Sequence, residues 1–328
     1  MNQLRKKSFW QSKAWFLLAT VIIVVGWASQ QVVVQDFWRG MGYKPEGKMQ
    51  EIEAALELTG RGRQIFAASW PAIEPNVEFN DHCNSHNGDV SLLGCYTGGR
   101  IYVYEVELEE LETGNIVTTA HELLHAVWER MSERERGEVR GWLDKLYAEK
   151  KEWFDKELEV YTEGERVEEM YARVGTKLAE LPEEAEANYS KFFQNRGRIV
   201  EYYERYEAPF LELKAEMEEL LLKIENVRAE IDQGKEEYSA KVKELEGKIE
   251  TFNRCAETVG CFRNEVEFSA RRQALVAETG ALDGLREELN KEIEENNRRI
   301  DQYRELQAGL GRLNDAVNSN IELIEKTR

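Results

Sequence analysis

The hydrophobic pattern divides the chain into three stretches of different kind. The first is a run without charge, "AWFLLATVIIVVGWASQQVVV", residues 14–34. About 20 apolar residues cross the hydrocarbon core of a bilayer, so this run predicts an N-terminal transmembrane helix. Arg5, Lys6, Lys7 and Lys13 precede it, and the first cation after it is Arg39. That asymmetry predicts a cytoplasmic N-terminus with the rest of the chain outside. A cleaved signal peptide ending near "GWAS" is the alternative, and it exports the remainder equally well. Trp27 and the length of the run favour the uncleaved anchor.

The second stretch, residues 36–206, mixes periods. "KMQEIEAALELTGRGRQIFAAS" has helical spacing, interrupted near Thr59–Gly62, and Pro71 and Pro75 then break the chain. "NVEFND" and "RIYVYEVE" are expected as strands; in the second, Ile101 and Val103 alternate with Tyr102 and Tyr104. It stands about 20 residues before a helical run and is a candidate sheet edge for an extended peptide, or else a plain core strand. From Glu133 the pattern is helical, with Leu143, Leu146, Trp153 and Phe154 at spaced apolar positions. The aromatic stripe of "NYSKFFQNRGRIVEYYERY" reads as core.

The third stretch, residues 207–328, keeps a strict seven-residue repeat. Phe210, Met217, Ile224, Ile231, Tyr238, Leu245 and Phe252 form one series. Phe268, Leu275, Leu282, Leu289, Asn296, Tyr303, Leu310, Val317 and Ile324 form another. A repeat held this long specifies a coiled coil. Between the series lies "NRCAETVGCFRN", which turns the two arms into an antiparallel hairpin; two continuous helices in an intermolecular dimer are the alternative. Asn296 at a core position is expected to set register.

Charge removes some partners. The net charge is −19, which argues against nucleic acid as a partner, since phosphate binding needs a basic face, and against broad attraction to anionic lipid. Cysteines agree with export. Cys83 and Cys95 are 12 residues apart, Cys255 and Cys261 six apart, and two local disulfides are expected, the second fastening the hairpin tip. The alternative is a second zinc site from His82, Cys83, His86 and Cys95, whose spacing matches no familiar finger.

The chain has four histidines, and two of them stand in "TTAHELLHAVWERM". Positions i and i+4 share a helix face, so His121 and His125 can reach one metal ion, with Glu122 about 100° round from His121 and able to face a water there. As buried structural groups, two imidazoles and a carboxylate would each need partners. Catalytic zinc takes a third protein ligand. Asp155, Glu159, Glu163, Glu165, Glu168 and Glu169 are the downstream candidates.

"AHELLHA" and "EMYARVGT" resemble the two ligand helices of the gluzincin zinc peptidases, over a stretch of about Leu58 to Tyr206. The larger pattern, "FNDHC", "LGCY", "IYVY", is also similar to membrane-anchored bacterial proteins with this motif. The resemblance implies Zn²⁺ held by His121, His125 and Glu169, with Glu168 the alternative third ligand. It implies that Glu122 takes a proton from the attacking water and passes it to the leaving amine. An oxyanion stabiliser is expected among His82, His86, Tyr171 and Arg173. The expected fold is mainly α: an α+β peptidase-like domain with a small sheet, a long coiled-coil hairpin and a transmembrane helix. The expected activity is that of a membrane-anchored zinc endopeptidase acting on a peptide or protein substrate outside the cytoplasmic membrane, with the coiled coil open to a protein partner or self-association. A non-catalytic coiled-coil envelope scaffold with a peptidase-like binding domain is the second reading.

Overall fold

The computed structural model describes residues 32–83 and 92–320. The apolar run 14–34 falls almost wholly outside them. Among the described residues no helix is long and apolar enough to cross a membrane. The chain forms two compact units, one of residues up to Pro209 together with those from Leu313 onward, the other Phe210–Arg312.

The first unit opens with three short helices, α1 (Val32–Gly40), α2 (Lys48–Ala55) and α3 (Gly60–Ala68). The break expected near Thr59 separates α2 from α3. Thr59 caps α3 by accepting from the Gly62 amide, which satisfies one of the orphan donors of a helix start. β1 (Ala72–Glu74), α4 (Asn76–His82), β2 (Gly94–Thr97) and β3 (Arg100–Tyr104) follow. The strands form one sheet in the order β1-β3-β2, with β1 parallel and β2 antiparallel to β3.

Two expectations for this region are corrected. "NVEFND" is not a strand but α4. Pro75 stands at its N-cap, Phe79 turns into the core, and Asn76 and Asn80, one turn apart, both donate to the Ser319 carbonyl. A helix brings that i,i+4 pair to one face; a strand would not. "RIYVYEVE" does contain a strand, but β3 is central and not an edge. The edge is β2, joined to β3 by Gly98 and Gly99, whose φ of +58° and +77° suit the two-residue turn that hairpins favour.

The helical remainder of this unit is α5 (Thr113–Glu129), α6 (Glu133–Glu149), α7 (Lys151–Glu157), α8 (Arg166–Lys177) and α9 (Glu183–Tyr189). Ser132 and Glu135 close a capping box at the start of α6. Leu123, Leu124, Ala126 and Val127 of α5 join Val139, Leu143, Tyr171 and Tyr189 in the main core. Gly175 lets α8 lie close on α5: a Cβ there would stand 2.4 Å from Leu124 Cδ1 and 2.7 Å from the Tyr189 ring. Tyr189 donates to the Tyr171 carbonyl at 2.7 Å, so the buried phenol is satisfied.

The second unit is a helical hairpin. α10 (Arg196–Ala256) carries Pro209 inside it, at the point where the first unit ends, and α11 (Glu265–Ala316) returns. The two helices pack together antiparallel. The site of a Cβ on Gly309 lies beside Leu213 and that on Gly234 beside Leu289, Lys248 pairs with Glu278 at 2.9 Å, and Phe252 stacks near Phe268. Ile231, Leu245, Leu289 and Asn296 are the most buried of the heptad positions. Cys255–Cys261 closes the tip and Cys83–Cys95 ties the end of α4 to β2, so both expected disulfides are present.

Among the described residues, Asn296 Oδ1 is buried in the hairpin seam without a hydrogen-bond partner. An unpaired buried acceptor costs about 1–3 kcal/mol. Asn296→Leu is therefore expected to stabilise the hairpin by about that amount, read as a higher melting temperature by circular dichroism. A lower one would show that the amide is partnered.

Candidate metal centre

α5 carries "HELLH" as one turn of helix, and α8 packs across it. Three donor atoms converge between them. His125 Nε2 lies 3.1 Å from His121 Nε2. Glu169 Oε2 lies 3.5 Å from His121 Nε2 and 3.4 Å from His125 Nε2. Metal bonds of about 2.0–2.1 Å in a tetrahedral site set the ligand atoms about 3.3 Å apart. The triangle fits a Zn²⁺-sized ion held by two imidazoles and one carboxylate. Among the described residues it is the one cluster of three metal-ligating side chains so arranged.

The supporting side chains aim each donor. Glu168 Oε1 meets His125 Nδ1 at 2.9 Å, which leaves Nε2 facing the triangle. Glu168 therefore stands behind His125 and outside the triangle, the position from which carboxylates commonly orient metal-bound histidines. Arg173, one turn on from Glu169, donates through Nε to Oε1 and leaves Oε2 for the histidines. Arg173 is held in turn by Glu157 and by Tyr161 Oη at 3.1 Å, and Lys177 also pairs with Glu157 at 2.7 Å. Spacing alone had no means of showing this arginine buttress, because Glu157 ends α7 and Tyr161 comes from the turn after it.

Charge explains the titration behaviour. Burial works against ionisation of Glu169, but the two histidines and Arg173 outweigh it and hold the carboxyl well below the usual carboxylate range. Burial likewise works against His125 charging, yet Glu168, Glu169 and Glu122 push it up to about 10. Glu122 behaves oppositely: it is 6% exposed, and burial raises its pKa against the pull of the histidines.

The triangle opens on a cavity of about 690 Å³. One wall is β2 with the residues before it: Leu92, Leu93, Gly94, Cys95 and Tyr96. β2 has β3 on one side and, among the described residues, no strand on the other. Glu122 lies against this wall. A Cβ on residue 94 would stand 2.9 Å from Glu122 Cγ and 2.5 Å from Thr118 Cγ2, so only glycine lets strand and helix approach this closely. Tyr161, Arg173, Lys177, Tyr203 and Tyr206 also line the cavity.

The remaining described sequence candidates stand outside the triangle, although Glu165 lines the cavity. Tyr171 is fully buried and donates to Asn188 Oδ1 at 2.8 Å, away from the cavity. His82 stacks on Tyr102 and meets Glu74 at 2.8 Å. His86 lies outside the described residues. With Cys83 and Cys95 joined, the alternative site from that segment loses two ligands. Asp155 is exposed, held by Lys151 and Tyr147; Glu159 and Glu163 are exposed, and Glu165 accepts from Thr162. Of the three described oxyanion candidates only Arg173 lines the cavity, and Tyr161, which was not among the candidates, lines it as well.

Two outcomes follow for metal binding. Glu169→Gln is expected to abolish tight zinc binding, and Glu168→Gln to weaken it by about 10–100-fold, the usual loss for an orienting partner; competitive chelator titration separates them. Equal effects would make Glu168 a ligand. Without metal, His125 is charged more readily in the folded chain than at its ordinary value of 6.5. Its contribution to stability is full below that value and is lost as pH rises through about 10. Zinc requires the neutral ring, so zinc affinity should rise over the same interval. Calorimetry with zinc and with chelator is expected to show the two melting temperatures diverging as pH rises.

No family model, no curated protein and no solved structure matches this chain, so the case for a metal centre rests on these donors and distances.

Proposed function

We propose that the chain is a zinc-dependent endopeptidase, anchored in a membrane by residues 14–34 and acting outside the cytoplasm. The observation that carries this is the convergence of His121, His125 and Glu169, with Glu122 on the same helix turn, beside an unpaired strand edge. Two disulfides support an oxidising compartment.

The residues divide the work. A substrate segment pairs in extended form along the outer edge of β2, where backbone hydrogen bonds hold a peptide regardless of its side chains. His121, His125 and Glu169 would hold Zn²⁺, which supplies Lewis acidity toward a water and a carbonyl oxygen. Glu122 takes the proton from that water and delivers it to the departing amine. Tyr161 lies in the cavity wall, and burial and Glu169 raise its pKa to about 12, so it keeps its proton at neutral pH and can donate to the oxygen that gains charge.

Metal analysis of the purified chain, paired with a cleavage assay on unfolded protein, tests the proposal. About one zinc per chain is expected. His121→Ala and His125→Ala should lose it. Glu122→Gln should keep it and lose cleavage by at least about 100-fold, the scale at which general acid–base groups contribute. Normal cleavage by Glu122→Gln would overturn the role given to Glu122, and zinc bound with no cleavage by the native chain would favour the scaffold reading instead.

A further inference from the structure

α1 is amphipathic the wrong way round for a helix in water. Its buried face carries a charge: Asp36 is 2% exposed and is paired with Arg61 at 3.1 Å and Arg130 at 2.8 Å. Its outer face is apolar. At about 100° per residue Val33, Phe37 and Trp38 fall within an arc of about 140°, and Asp36 lies about 130° from the middle of that arc. Phe37 is 58% exposed and Trp38 66%, with their rings edge to face at 5.8 Å. Met41, just past the helix end, is exposed as well.

Trp70 extends this surface from another segment. Its indole Nε1 donates to the Arg39 carbonyl at 2.7 Å, and its ring lies 3.6 Å from where a Cβ on Gly42 would stand. Trp70 also takes φ +42°, a left-handed conformation that a bulky residue adopts at a cost. The backbone is strained where it presents an indole at the surface.

The chain itself indicates the occupant. The 21-residue run without charge ends at Val34, and its last three residues form the first turn of α1. A segment long enough to cross a bilayer thus passes into α1 with no linker between. The first anion after that run, Asp36, faces inward.

We propose that the outer face of α1 with Trp70 lies in the headgroup–acyl boundary of the bilayer and seats the first unit on the membrane surface. Tryptophan suits that boundary, with an apolar ring and one donor. The net charge of −19 makes this an apolar contact and not one that needs anionic lipid. Asp36 also fixes the seat relative to the metal centre, because its partner Arg130 directly follows α5, the helix that carries His121 and His125.

Nitroxide depth measurement on the full chain in phosphatidylcholine vesicles tests this. All four cysteines are paired, so a label attaches only at an introduced thiol. Trp38→Cys and Met41→Cys probe the face, two positions that guard against a fault in either variant. Gly137→Cys, exposed on α6 with open space around it, is the reference. Labels at 38 and 41 are expected to show an oxygen-to-nickel-chelate accessibility ratio several-fold above that at 137. A ratio equal to that at 137 would overturn the proposal. So would low access to both reagents with spin–spin broadening that unlabelled chain dilutes away, which would make the face a contact with a second copy.

Discussion

The first unit is organised around a carboxylate buried between two imidazoles. Glu169 is 3% exposed, and an isolated charge at that depth would cost more than most single interactions return. It is tolerable because His121 and His125 lie at 3.4–3.5 Å from one of its oxygens and Arg173 holds the other. The compensation requires α8 to approach α5 closely. Gly175 against Leu124 and the stacked pair Tyr171–Tyr189, with centroids 4.9 Å apart, set that approach. The polar cluster and the apolar packing therefore depend on each other: without the small residue the donors do not converge, and without the donors the helices would bury an unpaired charge.

What was legible in the sequence followed from short periods. The i,i+4 histidines, the seven-residue repeat and the two close cysteine pairs each need only local geometry, and each appears as expected. Glu169 was reached through a resemblance and not through spacing. Its neighbour Glu168 differs from it by one position, and what separates them is the packing angle of α8 on α5, a tertiary fact. The misread elements are those whose identity depends on partners. "NVEFND" alternates well enough for a strand, but its asparagines bond to Ser319, more than 200 residues on. β3 has the composition of a strand and gave no sign of being flanked on both sides. The true edge, β2, carries a disulfide and a glycine and looks like a loop until Gly98–Gly99 is recognised as a hairpin turn.

The edge strand is also where distant parts of the chain meet. Cys95 joins it to α4. Ser319, in the segment that returns from the hairpin to the first unit, donates to the Leu92 carbonyl just before it. Tyr96 bonds Glu129 and, at 2.9 Å, Arg130. Arg130 also binds Asp36, so one guanidinium connects the strand edge, the end of the histidine helix and the helix that follows the apolar run.

That convergence constrains how the site can change. An edge strand that receives a peptide must keep its outer backbone groups free while its inner side is held rigidly, since a shift of one residue would turn its side chains to the other face. β2 has four residues and pairs with one strand, too little to hold register on its own. The disulfide and the Tyr96–Arg130 pair restrain it through side chains, and the Ser319 contact takes the Leu92 carbonyl just before it. Arg130 is paired with the buried Asp36, and moving it would strand a charge inside the protein, so the strand is tied to the least adjustable interaction on that side of the unit. Glu122 rests against the same strand at Gly94. Its distance from the edge is therefore set by the fold, the fixed placement that the proposed proton transfer requires.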